Sequence, residues 1–227
     1  MAIYRGNDGD NRYSGTSAAD LILGRSGDDR LRGNRGNDTI DGGEGNDSLE
    51  GGVGSNVIRG GSGNDAIWAR GGNDRVNAGE GNDTVRVGGG DNAVVLGEGN
   101  DVAVTGGGRD IIDGGEGNDR MMAGAGNDIL RGGEGDDVLN GGLGNDRLTG
   151  GEGADRFVFN GGIDRITDFQ NGDDAIDLSA FARFTSFASI RAAASQSGSD
   201  IIIKAGANRL VIEDTRLSQL DGDDFIW

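Results

Sequence analysis

The sequence predicts an all-β chain built as a stack of short, nearly identical coils, and three observations predict it. The first is a nine-residue period: with Gly6 as position 1, the frame runs without a gap to Thr167, which is 18 rows. The second is position 8, which is apolar in all 18 rows, from Tyr13, Ile22, Leu31 and Ile40 to Leu148, Phe157 and Ile166. The third is composition: 48 glycines and no proline in 227 residues, where average usage would give about 16 and about 11. Low hydrophobicity with high charge ordinarily means disorder. The strict period argues instead for rows that complete one another.

Residues 1–5 read as a lead-in and residues 6–167 as the repeat. Position 4 is glycine in 17 rows, Ala18 being the exception, and position 6 is aspartate in 15 and asparagine in three, namely Asn11, Asn56 and Asn92. Gly42-Gly43-Glu44-Gly45-Asn46-Asp47-Ser48-Leu49-Glu50 shows the full pattern. The glycines admit left-handed or crowded backbone, so six residues can make a tight turn that aims carbonyl oxygens at one point. The aspartate adds a hard anionic oxygen, and calcium takes about six to eight oxygens. The last three positions make a very short strand whose middle side chain faces inward.

This consensus, G-G-x-G-x-D-x-U-x, resembles the calcium-binding nonapeptide of the RTX (repeats-in-toxin) proteins. The resemblance implies a right-handed parallel β-roll in which two rows form one coil, hence about nine 18-residue coils. It also implies that each Ca²⁺ sits between two turns of one column. The earlier turn gives carbonyls at positions 2 and 4 plus its aspartate, and the later turn gives carbonyls at positions 1 and 3 plus its own. One such site is Gly43, Gly45 and Asp47 with Gly60, Ser62 and Asp65.

The first column is then Asn11, Asp29, Asp47, Asp65, Asp83, Asp101, Asp119, Asp137 and Asp155. The second is Asp20, Asp38, Asn56, Asp74, Asn92, Asp110, Asp128, Asp146 and Asp164. Adjacent aspartate pairs number seven and four, so about eleven Ca²⁺ sites are expected. Stacked carboxylates at the strand spacing of roughly 4.8 Å repel by roughly 0.9 kcal/mol even in water. Without a cation the repeat is therefore expected to stay unfolded. Nine bound Ca²⁺ would bring the formal charge of -18 to zero.

Composition changes after Thr167: 44 of the glycines precede it, and all seven phenylalanines lie from Phe157 onward. Residues 164–169 and 172–181 resemble the segment that closes the roll in serralysin-type RTX proteins, so residues 168–227 are expected to form a small β-rich cap. Ser186 to Gln196 reads as a short helix, and 200–204 with 209–213 as a hairpin around Gly206-Ala207-Asn208. The last residues, Asp223, Asp224, Phe225, Ile226 and Trp227, resemble the uncleaved signal by which RTX proteins leave Gram-negative bacteria through a type I (ABC-transporter) channel. The lack of cysteine and of a Sec-type start agrees with a secreted, extracellular protein.

Several function classes are excluded or disfavoured. With no histidine there is no Ser-His-Asp triad and no HExxH zinc site. No G-x-S-x-G, G-x-G-x-x-G or EF-hand loop occurs. The charge argues against nucleic acid or an anionic membrane as main partner, and no stretch is apolar enough for a transmembrane segment. A non-enzymatic calcium-binding protein is the expected class. The alternative is a polysaccharide-binding accessory module, because 20 arginines stand against one lysine, and forked guanidinium groups suit carboxylates. Arg30, Arg32, Arg75 and Arg120 are the candidate contacts for an acidic glycan. The same arginines also read as charge balance on a solvated face.

Overall fold

The computed structural model describes residues 1–227 as two long parallel sheets facing each other across a thin core. The first sheet has 13 strands and the second 11. Partners lie 18 residues apart, as in Ile22↔Ile40 and Ile40↔Ile58 in the first sheet and Leu31↔Leu49 and Leu49↔Ile67 in the second. One coil is therefore two rows, which makes the all-β parallel solenoid expected. Helix is confined to Phe187–Ala193, and no helix is long and apolar enough to cross a membrane.

Position 8 is fully buried along the roll, Ile22, Ile40, Leu49, Ile58, Ile67, Val85, Ala103, Ile112, Met121, Leu130 and Leu139 each being 0 % exposed. Position 1 also faces inward, which the period alone did not reveal. Where it carries a side chain, as at Ala69, Ala78, Val87, Leu96, Ala123 and Phe159, that side chain joins the core. The coil is thin enough that these one or two side chains per row fill it.

Both ends carry more structure than expected. Ile3–Arg5 is not a bare lead-in but a strand paired with Leu21–Leu23. Tyr4 stacks on Tyr13 with ring centroids 4.1 Å apart, and its hydroxyl donates to Asn11 Oδ1 at 2.9 Å, so two aromatics close the first end of the core. At the other end, Ala175–Asp177 pairs with Arg156–Val158, and Phe225–Ile226 pairs in turn with Ala175–Asp177. The cap hairpin, Asp200–Ala205 and Asn208–Ile212, docks its second strand parallel on Ile163–Ile166. With these additions each sheet has eleven parallel strands.

The expected helix ends sooner, at Ala193. Ser186 caps it by accepting from the Ser189 N–H. Ala194–Ser197 leaves it as a strand antiparallel to Asp200–Ile203, turning at Gly198, whose φ is 67°. Sheet pairing overrides the helix propensity of Ala194 and Gln196. One apolar cluster of 35 buried residues runs from Ile22 to Phe225, so the cap shares the core of the roll.

Candidate metal centre

Each turn brings its position-6 aspartate in beneath the backbone, where it is at most 3 % exposed. One carboxylate oxygen is engaged by the neighbouring coil. The Asp29 N–H donates to Asp47 Oδ1 at 2.7 Å, Asp47 N–H to Asp65 Oδ1 at 2.7 Å and Asp65 N–H to Asp83 Oδ1 at 2.6 Å. The series continues through Asp101, Asp119, Asp137 and Asp155. The second column repeats it, for example from Asp110 to Asp128, Asp128 to Asp146 and Asp146 to Asp164.

The other oxygen has no partner. Oδ2 of Asp29, Asp38, Asp47, Asp65, Asp74, Asp83, Asp101, Asp110, Asp119, Asp128, Asp137, Asp146, Asp155 and Asp164 is buried without a hydrogen bond. Buried carboxylate oxygens left unpaired in two stacked files are costly unless a cation meets them. The space they face is lined by carbonyls. A Cβ on Gly42 would overlap both Asp47 Oδ2 and the Gly60 carbonyl oxygen; one on Gly61 would overlap the Gly43 carbonyl, and one on Gly63 the Gly45 carbonyl. Gly43 and Gly45 themselves need φ of 113° and 120°, which L side chains rarely adopt. The Ser62 carbonyl accepts the Gly45 N–H at 2.8 Å and keeps one lone pair.

No three acidic side chains converge on one point. A cation here has to be held by hard oxygens from backbone and paired carboxylates, the donor set calcium prefers. The residues present fit Ca²⁺.

Burial raises these carboxyls. Asp47, Asp83, Asp119 and Asp155 are pushed up to about 7, Asp65, Asp101, Asp128 and Asp137 to about 6, and Asp164 to about 8, while the N–H donated to each pulls the other way. Neighbouring carboxylates add to the rise at Asp47, Asp83, Asp119 and Asp155. The files resist being charged together without a counter-ion.

One member of the expected set has partners of its own, and one residue joins the set. Asp20 is already satisfied: its Oδ2 accepts the Thr16 N–H at 2.6 Å and the Thr16 hydroxyl at 2.9 Å, and its Oδ1 accepts the Ala2 N–H. Those donors, Ala2 first, hold its carboxyl below the usual range. Asp174, outside the nine-residue frame, extends the first column, accepting the Asp155 N–H on Oδ1 at 2.9 Å. Its spacing of 19 hid it from the period.

A second ladder was also missed, at position 5. There the side chain accepts from the next coil rather than the previous one: Asn46 N–H donates to Asp28, Asn64 to Asn46 and Asn82 to Asn64. The signal was the repeated Asn or Asp before position 6.

The remaining candidates divide. Arg30 and Arg32 line a groove of about 610 Å³ on the second sheet with Arg12, Tyr13, Glu50 and Trp68. Arg75 lies on the first sheet and Arg120 farther along the second, so the four do not form one site. Of the last five residues, Asp224 and Phe225 are buried, while Asp223, Ile226 and Trp227 are exposed. Asp224 Oδ1 accepts from Asn171 and Gly172, and its Oδ2 from the Asp221 N–H.

The fold and the files together define a parallel β-solenoid with stacked bays of carbonyl and carboxylate oxygens. Overlapping segments 5–40, 23–58, 41–76, 50–85, 68–103, 95–130 and 131–166 match the RTX calcium-binding nonapeptide repeat (4 copies), and the chain belongs to that family. Among solved structures it is similar to the AlgE6R3 subunit of the Azotobacter vinelandii mannuronan C5-epimerase, at 30% identity over 52% of this chain and 78% of that one, with a TM-score of 0.45. It is also similar to the extracellular lipase LipA of Serratia marcescens, at 17% identity over 99% of this chain but 39% of the lipase, TM-score 0.39. A third is a Ca²⁺-dependent β-helical antifreeze protein from an Antarctic bacterium, at 21% identity over 75% and 83%, TM-score 0.38. No curated protein matches the chain by sequence.

Proposed function

We propose that this chain is a secreted, non-enzymatic calcium-binding protein whose roll folds when extracellular Ca²⁺ fills the two columns. The observation that carries the reading is the file of buried, unpartnered aspartate Oδ2 atoms facing carbonyl-lined spaces. Calcium would supply the positive charge those oxygens lack. Asp47 with Asp65 and the carbonyls of Gly43, Gly45, Gly60 and Ser62 would hold one ion, and about eleven such bays have two aspartates. In cytosol, where calcium is scarce, the columns would repel and the chain would stay threadable through a type I (ABC-transporter) channel, with Asp223–Trp227 as the export signal. Outside a Gram-negative cell, ligand binding to the folded state alone adds RT ln(1 + [L]/Kd) per site.

The test is a calcium titration followed by far-ultraviolet circular dichroism. In chelator near neutral pH the chain should be coil, and β signal should rise cooperatively at roughly 10⁻⁴–10⁻³ M Ca²⁺, the range of extracellular modules. Equal β signal with and without chelator would overturn the reading.

A second reading, binding of an acidic polysaccharide, is favoured by the groove on the second sheet. Arg12 and Arg30 stand in register there without an acidic partner, Arg32 pairs with Glu50 at 2.7 Å, and Trp68 is 36% exposed. Guanidinium forks beside an indole suit the carboxylates and ring faces of a uronate chain. Binding of a uronate oligosaccharide in calcium that survives Arg30→Ala with Arg12→Ala unchanged would sink it.

A further inference from the structure

The three asparagines of the columns do more than lack a charge. The amide nitrogen of Asn56 donates to the Gly54 carbonyl at 3.0 Å and to Asp74 Oδ1 at 3.0 Å. Asn92 donates to the Gly90 carbonyl at 2.8 Å, the Gly88 carbonyl at 3.3 Å and Asp110 Oδ1 at 2.9 Å. Asn11 does the same to the carbonyls of Gly9 and Asn7 and to Asp29 Oδ1 at 3.0 Å. These acceptors belong to positions 2 and 4 of the same turn and to the next aspartate of the column. In aspartate rows the equivalent atom is the unpartnered Oδ2.

We infer that Asn11, Asn56 and Asn92 are built-in cation substitutes, each closing its own bay with an amide N–H₂ so that bays 11–29, 56–74 and 92–110 hold no calcium. The chemistry is one of donors and acceptors. An N–H₂ group presents positive hydrogens to oxygens that would otherwise face a metal. An N–H₂ and a Ca²⁺ cannot both occupy the space beside the position-4 carbonyl. The backbone ladder continues unbroken through these rows, because asparagine Oδ1 still accepts the incoming N–H, from Asp38 to Asn56 and from Asp74 to Asn92 at 3.0 Å. The middle of the second column is thus closed without metal, while the first column opposite it, from Asp47 to Asp101, consists of bays with two aspartates.

This inference rests on the calcium reading above, and the experiment separates the two. Bound calcium is counted per chain, by equilibrium dialysis or native mass spectrometry, for wild type, Asn56→Asp and Asp83→Asn at saturating calcium. Asn56→Asp should gain at least one ion, and Asp83→Asn should lose at least one while keeping wild-type β signal in calcium. Because Asp83→Asn keeps the acceptor for the Asp65 N–H, it tests the idea even if Asn56→Asp folds poorly. A wild-type chain that binds calcium, with counts unchanged in both variants, would overturn the inference alone. A wild-type chain that binds none would overturn the calcium reading and this inference with it.

Discussion

At the scale of single residues, each position-6 aspartate has two tasks that substitutions can separate. Its Oδ1 accepts a backbone N–H from the previous coil, and its Oδ2 faces the bay. Asp83→Ala removes both, leaving the Asp65 N–H unpaired, which costs about 1–3 kcal/mol beyond the lost ion. It should raise the calcium midpoint more than Asp74→Ala, because Asn56 and Asn92 flank Asp74 and the bay before it already contains an amide. Equal shifts in one titration would mean that the two columns bind alike. Glycine gives a second contrast. A Cβ on Gly61, whose φ is 124°, overlaps the Gly43 carbonyl, whereas one on Gly71 meets only the Gly89 carbonyl, at 3.7 Å. Gly61→Ala should lower stability in calcium by about 1–3 kcal/mol, as overpacking does, and Gly71→Ala should be near wild type by urea unfolding.

At the scale of elements, the terminal pieces behave as parts of the solenoid. Phe225 is 6% exposed and packs near Phe187, ring centroids 6.0 Å apart, while its strand covers Ala175–Asp177. Deleting Asp221 to Trp227 should therefore raise the calcium midpoint of the purified protein as well as block export through a type I system. A truncated chain with an unchanged midpoint would show that this strand does not hold the last coil. Phe225→Ala should cost about 3 kcal/mol, toward the low end for a buried aromatic because the site lies at the end of the core. Much of the repeat was legible in the sequence, since period nine, the buried position 8 and the aspartate files all follow from residues such as Ile40, Leu49 and Asp47. What was not legible lies where the period stops constraining the chain. Tyr4 stacks on Tyr13, Asp174 joins at a spacing of 19, and the tail strand pairs with a segment some 50 residues earlier, as in Ile176 with Phe225. Such pairings depend on which backbone edge lies open, and local pattern does not encode that. The partners of Asp20 were hidden for a related reason: only the three-dimensional turn brings the Thr16 hydroxyl onto its carboxylate.

For the whole molecule, the dominant quantity is the charge the columns carry when folded. In the absence of metal, burial lifts many of these carboxyls to about 6 or 7, above the ordinary aspartate value near 3.9 of an unfolded chain. A folded-state pKa above the unfolded one means the folded state binds more protons across that window. Its stabilising effect is full below about pH 4 and is lost as pH rises through about 6 to 7. Protons should therefore partly replace calcium. In chelator, circular dichroism should show β structure gained as pH falls from about 8 toward about 4. A chelated chain equally unfolded at both ends of that range would contradict the burial of the files. With calcium present the dependence should reverse in sense, since protons then compete with the ion for the same oxygens.

The coil of two rows carries a consequence for how the length of such a protein can change. Successive rows alternate between the two sheets, and ladder partners stand 18 residues apart. Loss or gain of 18 residues in frame therefore leaves every later side chain on its original face. A step of nine keeps the turn chemistry, because both columns use the same position-6 ladder, but it exchanges the faces of everything downstream. The groove around Arg30 and the closing strand Phe225–Ile226 now share the second sheet. Removing residues 114–122 would place them on opposite sides of the molecule, whereas removing 114–131 would bring them closer on the same side. The parity of the row number, rather than the length itself, decides which surfaces of the roll look in the same direction.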